Sequence, residues 1–349
     1  MYGIHPKLID WIGSFLSDRS IQVRVDGALS DDFGVNPGVA QGCVISPILF
    51  LLYINDLFSS INSSIHSFAD DTTIHHSSSY TSQRSSSLKL TSDRTNTSSL
   101  IEQSLADVAN WGSCRAVSFN PSKSVHLSIS RHSSRPTNTL NFNSSLVPRA
   151  ELFSLLGLTI SSNLSWNAHI KIAASRAAKK LGFLFRARLY FTSEQLLLLY
   201  KAQIRPTLEY CCHVWGGAPA MYLNLLDRIQ RKAIRLIGDS SLTSSLQSLG
   251  LRRNVACLSL FYRYYHGKCS TELANIVPRP LTFSRSTRLQ SSSHCYQVTI
   301  PRCRTSYYAS SFFPRISGLW NSLPLSCFPP SYNLQSFKKS IFVHLATSC

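Results

Sequence analysis

The stretch Ile65-His66-Ser67-Phe68-Ala69-Asp70-Asp71-Thr72-Thr73-Ile74-His75 constrains this chain more than any other. It predicts two short strands joined by a tight turn, with two adjacent carboxylates at the tip. Aspartate suits a turn, because its side chain caps nearby backbone groups. Two neighbouring anions resist joint ionisation unless a cation lies between them. The pair is therefore either an ordinary polar hairpin tip or a seat for a divalent ion such as Mg2+ or Mn2+, which prefers oxygen ligands.

The 349 residues suffice for two or three domains, and 44% apolar content places them among globular chains. The net charge of +18 is unevenly distributed. Residues 1–165 carry 11 basic and 12 acidic residues, 166–245 carry 12 and 4, and 246–349 carry 12 and 1. A basic excess confined to the second half points to a polyanion partner. The ten cysteines contain no CxxC pair and no zinc-knuckle spacing, so no zinc site is expected. They read as reduced thiols of an intracellular protein, nuclear or cytoplasmic. The most apolar run, Val44 to Leu57, is interrupted by Ser46, Pro47, Asn55 and Asp56 and is too short and polar to span a bilayer.

Ahead of the acidic turn, residues Tyr2 to Leu16 have helical periodicity. Ser20 to Val25 alternates as a half-buried strand, Asp26-Gly27 signals a hairpin turn, and a return strand passes Phe33 and Val35. Then comes Gly38-Val39-Ala40-Gln41-Gly42-Cys43-Val44-Ile45-Ser46-Pro47. Its glycines leave the backbone bare for close approach of a ligand. Ser46 and Pro47 read as a helix start, the serine hydroxyl capping free amides. The following helix is apolar all round and is expected to be buried.

Gly-Val-x-Gln-Gly-x-x-x-Ser-Pro followed some twenty residues later by Phe-Ala-Asp-Asp resembles the reverse transcriptase palm of non-LTR (LINE-type) retrotransposons. Ala40 and Cys43 stand where that family usually has proline and serine. The resemblance implies an α+β fold: a partial right-hand polymerase palm over residues 1–165, an antiparallel sheet with packed helices, then a helical thumb and a C-terminal tail. It implies that Gly38, Gln41, Gly42 and Ser46 contact template and incoming nucleotide, and that Asp70 and Asp71 bind Mg2+ or Mn2+ in two-metal nucleotidyl transfer. The partners it implies are an RNA template with a DNA primer, or an RNA/DNA duplex, and deoxynucleoside triphosphates.

Residues 75–99, rich in serine and threonine, read as a flexible insertion. His75 and His76 are adjacent, so on a strand they point to opposite faces and do not form a metal pair. Leu100, Leu105, Val108 and Trp111 mark an amphipathic helix. Phe119 to Ser124 is a turn, and Val125 to Ser130 alternates as a strand. By the resemblance, Lys123 lies near the nucleotide phosphates as a candidate proton donor, and Leu155 to Ile160 is the strand that holds the primer end.

The basic half begins with a helix from His169 to Leu189, with Ile170, Ala173, Ala177, Leu181 and Leu184 inward and Lys179 and Lys180 outward. Thr192-Ser193-Glu194-Gln195 is a capping-box start. A further helix runs from Pro219 to Ile237 and ends at Gly238. On it Arg228, Arg231, Lys232 and Arg235 recur at spacings of three and four, a basic stripe opposite an apolar face. Residues 166–245 thus suit a thumb that grips nucleic acid through phosphates. Residues 246–349 interleave aromatics with arginines, a pattern shared by base-stacking surfaces and packed cores.

In the family, a further aspartate comes from an earlier strand, in a Phe-Asp segment before the opening helix. Here that segment falls before Met1. The expectation is an N-terminally truncated polymerase without activity, the alternative being a non-catalytic protein that binds RNA or DNA through its basic half.

Overall fold

Two apolar cores, one in each half, organise the chain into two compact units: Met1–Ser128 with His132–Ala150, and Ile129–Arg131 with Glu151–Cys349. The computed structural model describes residues 3–35, 38–77, 87–129, 139–281 and 295–347, with only the backbone course of 87–96. Helices are accompanied by small antiparallel two-stranded sheets, the mixed α+β content expected from the sequence.

In the first unit, helix α1 (Pro6–Leu16) opens on proline, whose missing N–H costs nothing there. Strand β1 (Ser20–Ile21) pairs with β4 (Phe33–Gly34), and β2 (Arg24–Val25) pairs with β3 (Ala28–Leu29) around Asp26-Gly27. The expected half-burial of this hairpin does not hold. Ile21, Val23, Val25, Leu29 and Phe33 are all exposed, and none of them joins the unit's core. Helix α2 (Ser46–Ile54) likewise departs from expectation: Ile48 and Leu51 are exposed, and only Ser46 and Ile54 are buried. Phe50 and Ile54 turn toward the core, and one flank is all that a core of this size receives.

Strands β5 (Ser64–Phe68) and β6 (Asp71–His75) form the expected hairpin, in a register that sets Ile65 opposite Ile74 and Phe68 opposite Asp71. Helix α3 (Ser87–Cys114) buries Ser104, Val108 and Trp111, three and four residues apart. Its start at Ser87 makes residues 87–99 helical where an irregular insertion was expected. Serine and threonine weaken a helix by only a few tenths of a kcal/mol each, and a turn anchored downstream propagates. Residues 78–86 of that expected insertion lie outside the described residues. Strands β7 (Leu140–Phe142) and β8 (Ser145–Val147) complete the core with Leu140, Phe142 and Val147. The strand expected from Val125 reduces to one bridge, His126 with Arg149, and Ser130 lies outside the described residues.

The second unit opens with a hairpin, β9 (Leu152–Leu155) and β10 (Leu158–Ser161), where a single strand was expected. Leu156 and Gly157 both take positive φ, 48° and 80°, which reverses the chain in two residues. Helix α4 (Asn167–Arg186) buries the five predicted apolar residues together with His169. Helix α5 (Ser193–Leu199) begins with the predicted capping box, Thr192 and Gln195 each bonding the other's backbone. A π turn, Tyr200–Ile204, leads into α6 (Arg205–Glu209) and then α7 (Cys212–Trp215). Helix α8 (Ala220–Ile237) ends at Gly238, whose φ of 71° terminates it. Helices α9 (Ser240–Thr243) and α10 (Leu249–Tyr265) follow, and later helices span Phe312–Asn321 and Leu334–Thr347.

Residues 166–245 and 246–349, read from sequence as separate regions, contribute to one core. Ile170, Leu208 and Leu226 belong to it, as do Phe261, Trp320 and Phe337. Tyr262 stacks on Phe337 at 4.2 Å between centroids, so these aromatics are packing groups. A buried hydrogen-bond chain runs through this core: the Tyr200 hydroxyl donates to Gln230 Oε1 (2.8 Å), and Gln230 Nε2 donates to the Gln247 carbonyl (2.8 Å).

His169 ties α4 to β10 by accepting the Thr159 N–H at Nδ1 (3.2 Å). Burial, and then the charge of Arg176, hold its pKa below the ordinary 6.5. The unfolded chain therefore takes up a proton as pH falls through 6.5 while the folded chain resists. Stability from this group is complete above 6.5 and is lost progressively as pH falls below it. Urea unfolding midpoints at pH 7.5 and 5.5 should show the loss, and His169→Asn, which keeps an acceptor without titrating, should reduce it.

Candidate functional site

The acidic turn is positioned by the face of the hairpin opposite to it. Successive strand residues alternate sides, so Ile65 and Ile74 pack against the first core while Asp71 points outward. Asp70 and Asp71 are both exposed. Ala69 carries the reversal at φ 53°, a left-handed conformation unusual for a residue with a Cβ, and Ser67 Oγ braces it by donating to the Ala69 carbonyl (2.9 Å). Two carboxylates on a tight, solvent-facing turn form an all-oxygen donor set suited to a hard divalent cation. Among the described residues, no group of three or more His, Cys, Asp and Glu gathers to hold a metal ion.

The glycine loop is held open from both ends. Gly38 and Gly42 adopt φ of 78° and 86°, which glycine alone takes without strain, and a Cβ placed on either would meet open space. Arg19 Nη2 donates to the Gly38 carbonyl (2.8 Å). Gln41 is exposed. The serine does not cap helix α2 as expected. Its N-cap is Ile45, and Ser46 Oγ, buried, instead donates to the Ala40 carbonyl (2.6 Å), fastening the loop to the helix. Asp56 anchors the next segment by accepting from Trp111 Nε1 (3.0 Å) and pairing with Arg115. The contacts of Arg19 and Asp56 join residues far apart in the chain, and no local pattern announces them. Lys123 is exposed at the end of a 3₁₀ turn, Pro121–Lys123, whose start is capped by Asn120.

In the second unit, Arg228, Arg231, Lys232 and Arg235 line the exposed side of α8, opposite buried Leu226, Ile229, Ala233 and Ile237. On α4 the two lysines differ. Both are exposed, but Lys180 Nζ donates to the Gln203 carbonyl (2.9 Å) and to Thr207 Oγ1 (3.1 Å). Further basic groups are engaged within the fold: Arg252 makes a two-pronged pair with Glu209, and Arg253 reaches Asp227 at 3.4 Å. Among the described residues, no helix is long and apolar enough to cross a membrane.

A family model described as "Reverse transcriptase (RNA-dependent DNA polymerase)" matches residues 1–172. The chain is similar to the "Probable RNA-directed DNA polymerase from transposon X-element" of Drosophila melanogaster, 25% identical over 234 residues covering 64% of this chain and 24% of that protein. It is also similar to the "RNA-directed DNA polymerase from mobile element jockey" of the same organism, 25% identical over 244 residues, 66% of this chain and 25% of that protein. A third relative, the "Probable RNA-directed DNA polymerase from transposon BS", is 22% identical over 238 residues, 65% and 25% of the two chains. The chain spans about a quarter of the length of the curated relatives it matches. No solved structure matches it.

The geometry makes Ser46 a brace of the glycine loop. Ser46→Ala should leave the Ala40 carbonyl without its buried donor and cost about 1–3 kcal/mol. Amide exchange across residues 38–46 should quicken, with little change in the second unit.

Proposed function

We propose that the chain belongs, through residues 1–172, to the reverse transcriptase (RNA-dependent DNA polymerase) family, of the kind found in non-LTR retrotransposons, and that it contributes the acidic turn of a polymerase palm and a nucleic-acid grip. The observation that carries this reading is the exposed Asp70–Asp71 pair, fixed at the tip of a hairpin that is seated by Ile65 and Ile74 within the matched stretch. In the proposed site, Asp70 and Asp71 hold the divalent ion, Mg2+ or Mn2+. When bound, such an ion activates a primer hydroxyl and steadies a leaving phosphate. The Gly38–Gly42 backbone offers bare amides to template and nucleotide. Lys123, exposed on its turn, is the proton donor to departing pyrophosphate.

The second unit acts as the thumb. Arg228, Arg231, Lys232 and Arg235, with Lys179, meet the phosphates of an RNA/DNA duplex without choosing sequence. Affinity carried this way falls steeply with salt, on the order of a thousandfold between 50 and 200 mM for some six phosphates. Lys180, held by Gln203 and Thr207, is a packing lysine in this scheme.

Two experiments test the reading. Changing Arg228, Arg231, Lys232 and Arg235 together to alanine should flatten the plot of log affinity for an RNA/DNA duplex against log salt by about 3–4. An unchanged slope would remove the grip from α8. Among the described residues no third carboxylate gathers beside Asp70 and Asp71, so this chain alone should show no more primer extension on poly(rA)/oligo(dT) than its Asp70→Ala variant, with Mg2+ or Mn2+. Metal-dependent extension that vanishes in Asp70→Ala would establish it as a complete catalyst and overturn that expectation.

A further inference from the structure

The hairpin that carries the acidic turn bears a second group of donors on its flank. His66 on β5 stands opposite Thr73, one diagonal step from His75 on β6. Their rings lie nearly parallel, with 8° between planes and centroids 5.2 Å apart. Both residues are exposed on the outward face, away from Ile65 and Ile74. The partner of His75 is thus across the ladder, and not the adjacent His76, which follows the end of the strand.

We propose that His66 and His75 form a two-imidazole site for a borderline-soft divalent ion, Zn2+ foremost. Imidazole nitrogen is a preferred ligand of Zn2+ and a poor one for Mg2+ or Mn2+, which take oxygen. With Zn–N bonds near 2.0–2.1 Å, the two nitrogens of a tetrahedral chelate lie about 3.4 Å apart. The rings stand 5.2 Å apart between centroids, so closing their nitrogens to that spacing asks for rotation about the side-chain bonds. Neither ring must leave a buried position to do so. The remaining coordination positions stay open to water.

The site straps β5 to β6. An isolated two-stranded hairpin is marginal in water, and this one carries the carboxylate turn at its tip. An ion that binds only the closed hairpin suppresses its opening in proportion to occupancy, about a hundredfold at a hundred times the dissociation constant. The site does not depend on the polymerase reading, because it draws on no carboxylate.

Residue-resolved acylation of histidine by diethyl pyrocarbonate, mapped by peptide mass spectrometry on the full chain, tests this. Zn2+ should slow modification of His66 and His75 together by about tenfold or more at saturating occupancy, leaving His76 unchanged, while Mg2+ protects neither. His75→Asn should return His66 to its unprotected rate, and His66→Asn should do the same for His75. An Asp70→Ala, Asp71→Ala double variant should keep the protection. Absence of protection, equal protection of His76, or protection of His66 that survives His75→Asn would each overturn the proposal, leaving a stacked pair without an ion. Loss of protection in the aspartate variant would reassign the ion to the acidic turn and overturn it as well.

Discussion

The contact on which the acidic turn depends is Ile65 against Ile74 across the β5–β6 ladder. Strand side chains alternate, so seating that pair on the first core sends Asp71, His66 and His75 outward together. A slip of one residue would exchange the two faces. It would put a carboxylate and imidazoles against Leu57, Val108 and Trp111, where an unpaired charge is severely penalised. The apolar pair thereby sets the register, and the register sets the site. Ala69 shows the cost of the arrangement. Its left-handed conformation disfavours any residue with a Cβ by about 1–2 kcal/mol, a strain set against the packing of Ile65 and Ile74 further along the strands.

The second unit obeys the same logic at a different period. Apolar residues three and four apart seat α4 and α8 on the core and leave the basic residues between them outward. Outward placement still does not make a cation available. Lys180 is held by a carbonyl and a hydroxyl, and Arg252 and Arg253 are paired with Glu209 and Asp227. Among the described residues, the stripe on α8 is a continuous exposed run of basic side chains that a polyanion can meet.

Periodic features were legible in the sequence because they follow from local geometry. The acidic hairpin, the inward residues of α4, the capping box at Thr192 and the stop at Gly238 all formed where the pattern put them. Burial was less legible. Periodicity says which side of an element is apolar and says nothing of whether another element meets it, so Val23, Val25 and Leu51 stand exposed. The aromatic run from Leu258, equally compatible in sequence with a base-stacking surface and a packed core, is packing at Phe261 and Tyr262, which are enclosed by helices far along the chain. The role of Ser46 was misread for a related reason: a serine before proline signals a cap, yet its hydroxyl found a carbonyl in the preceding loop. Contacts that cross the ladder, such as His66 with His75, carry no signal until the register is known.

Register also separates the two kinds of donor on this hairpin. Carboxylate oxygens occupy the tip, at Asp70 and Asp71, while imidazole nitrogens lie along the flank between the levels of Thr73 and His75. At about 3.3 Å of rise per residue, the midpoint of the histidine pair is roughly 10 Å from Asp71. No single ion with bonds of about 2 Å spans that distance. An ion held by the imidazoles therefore leaves the tip oxygens unligated, and a hard cation at the tip draws nothing from the imidazoles. The hairpin can be strapped by one kind of ion without blocking the other, because the strand rise keeps the two donor sets apart.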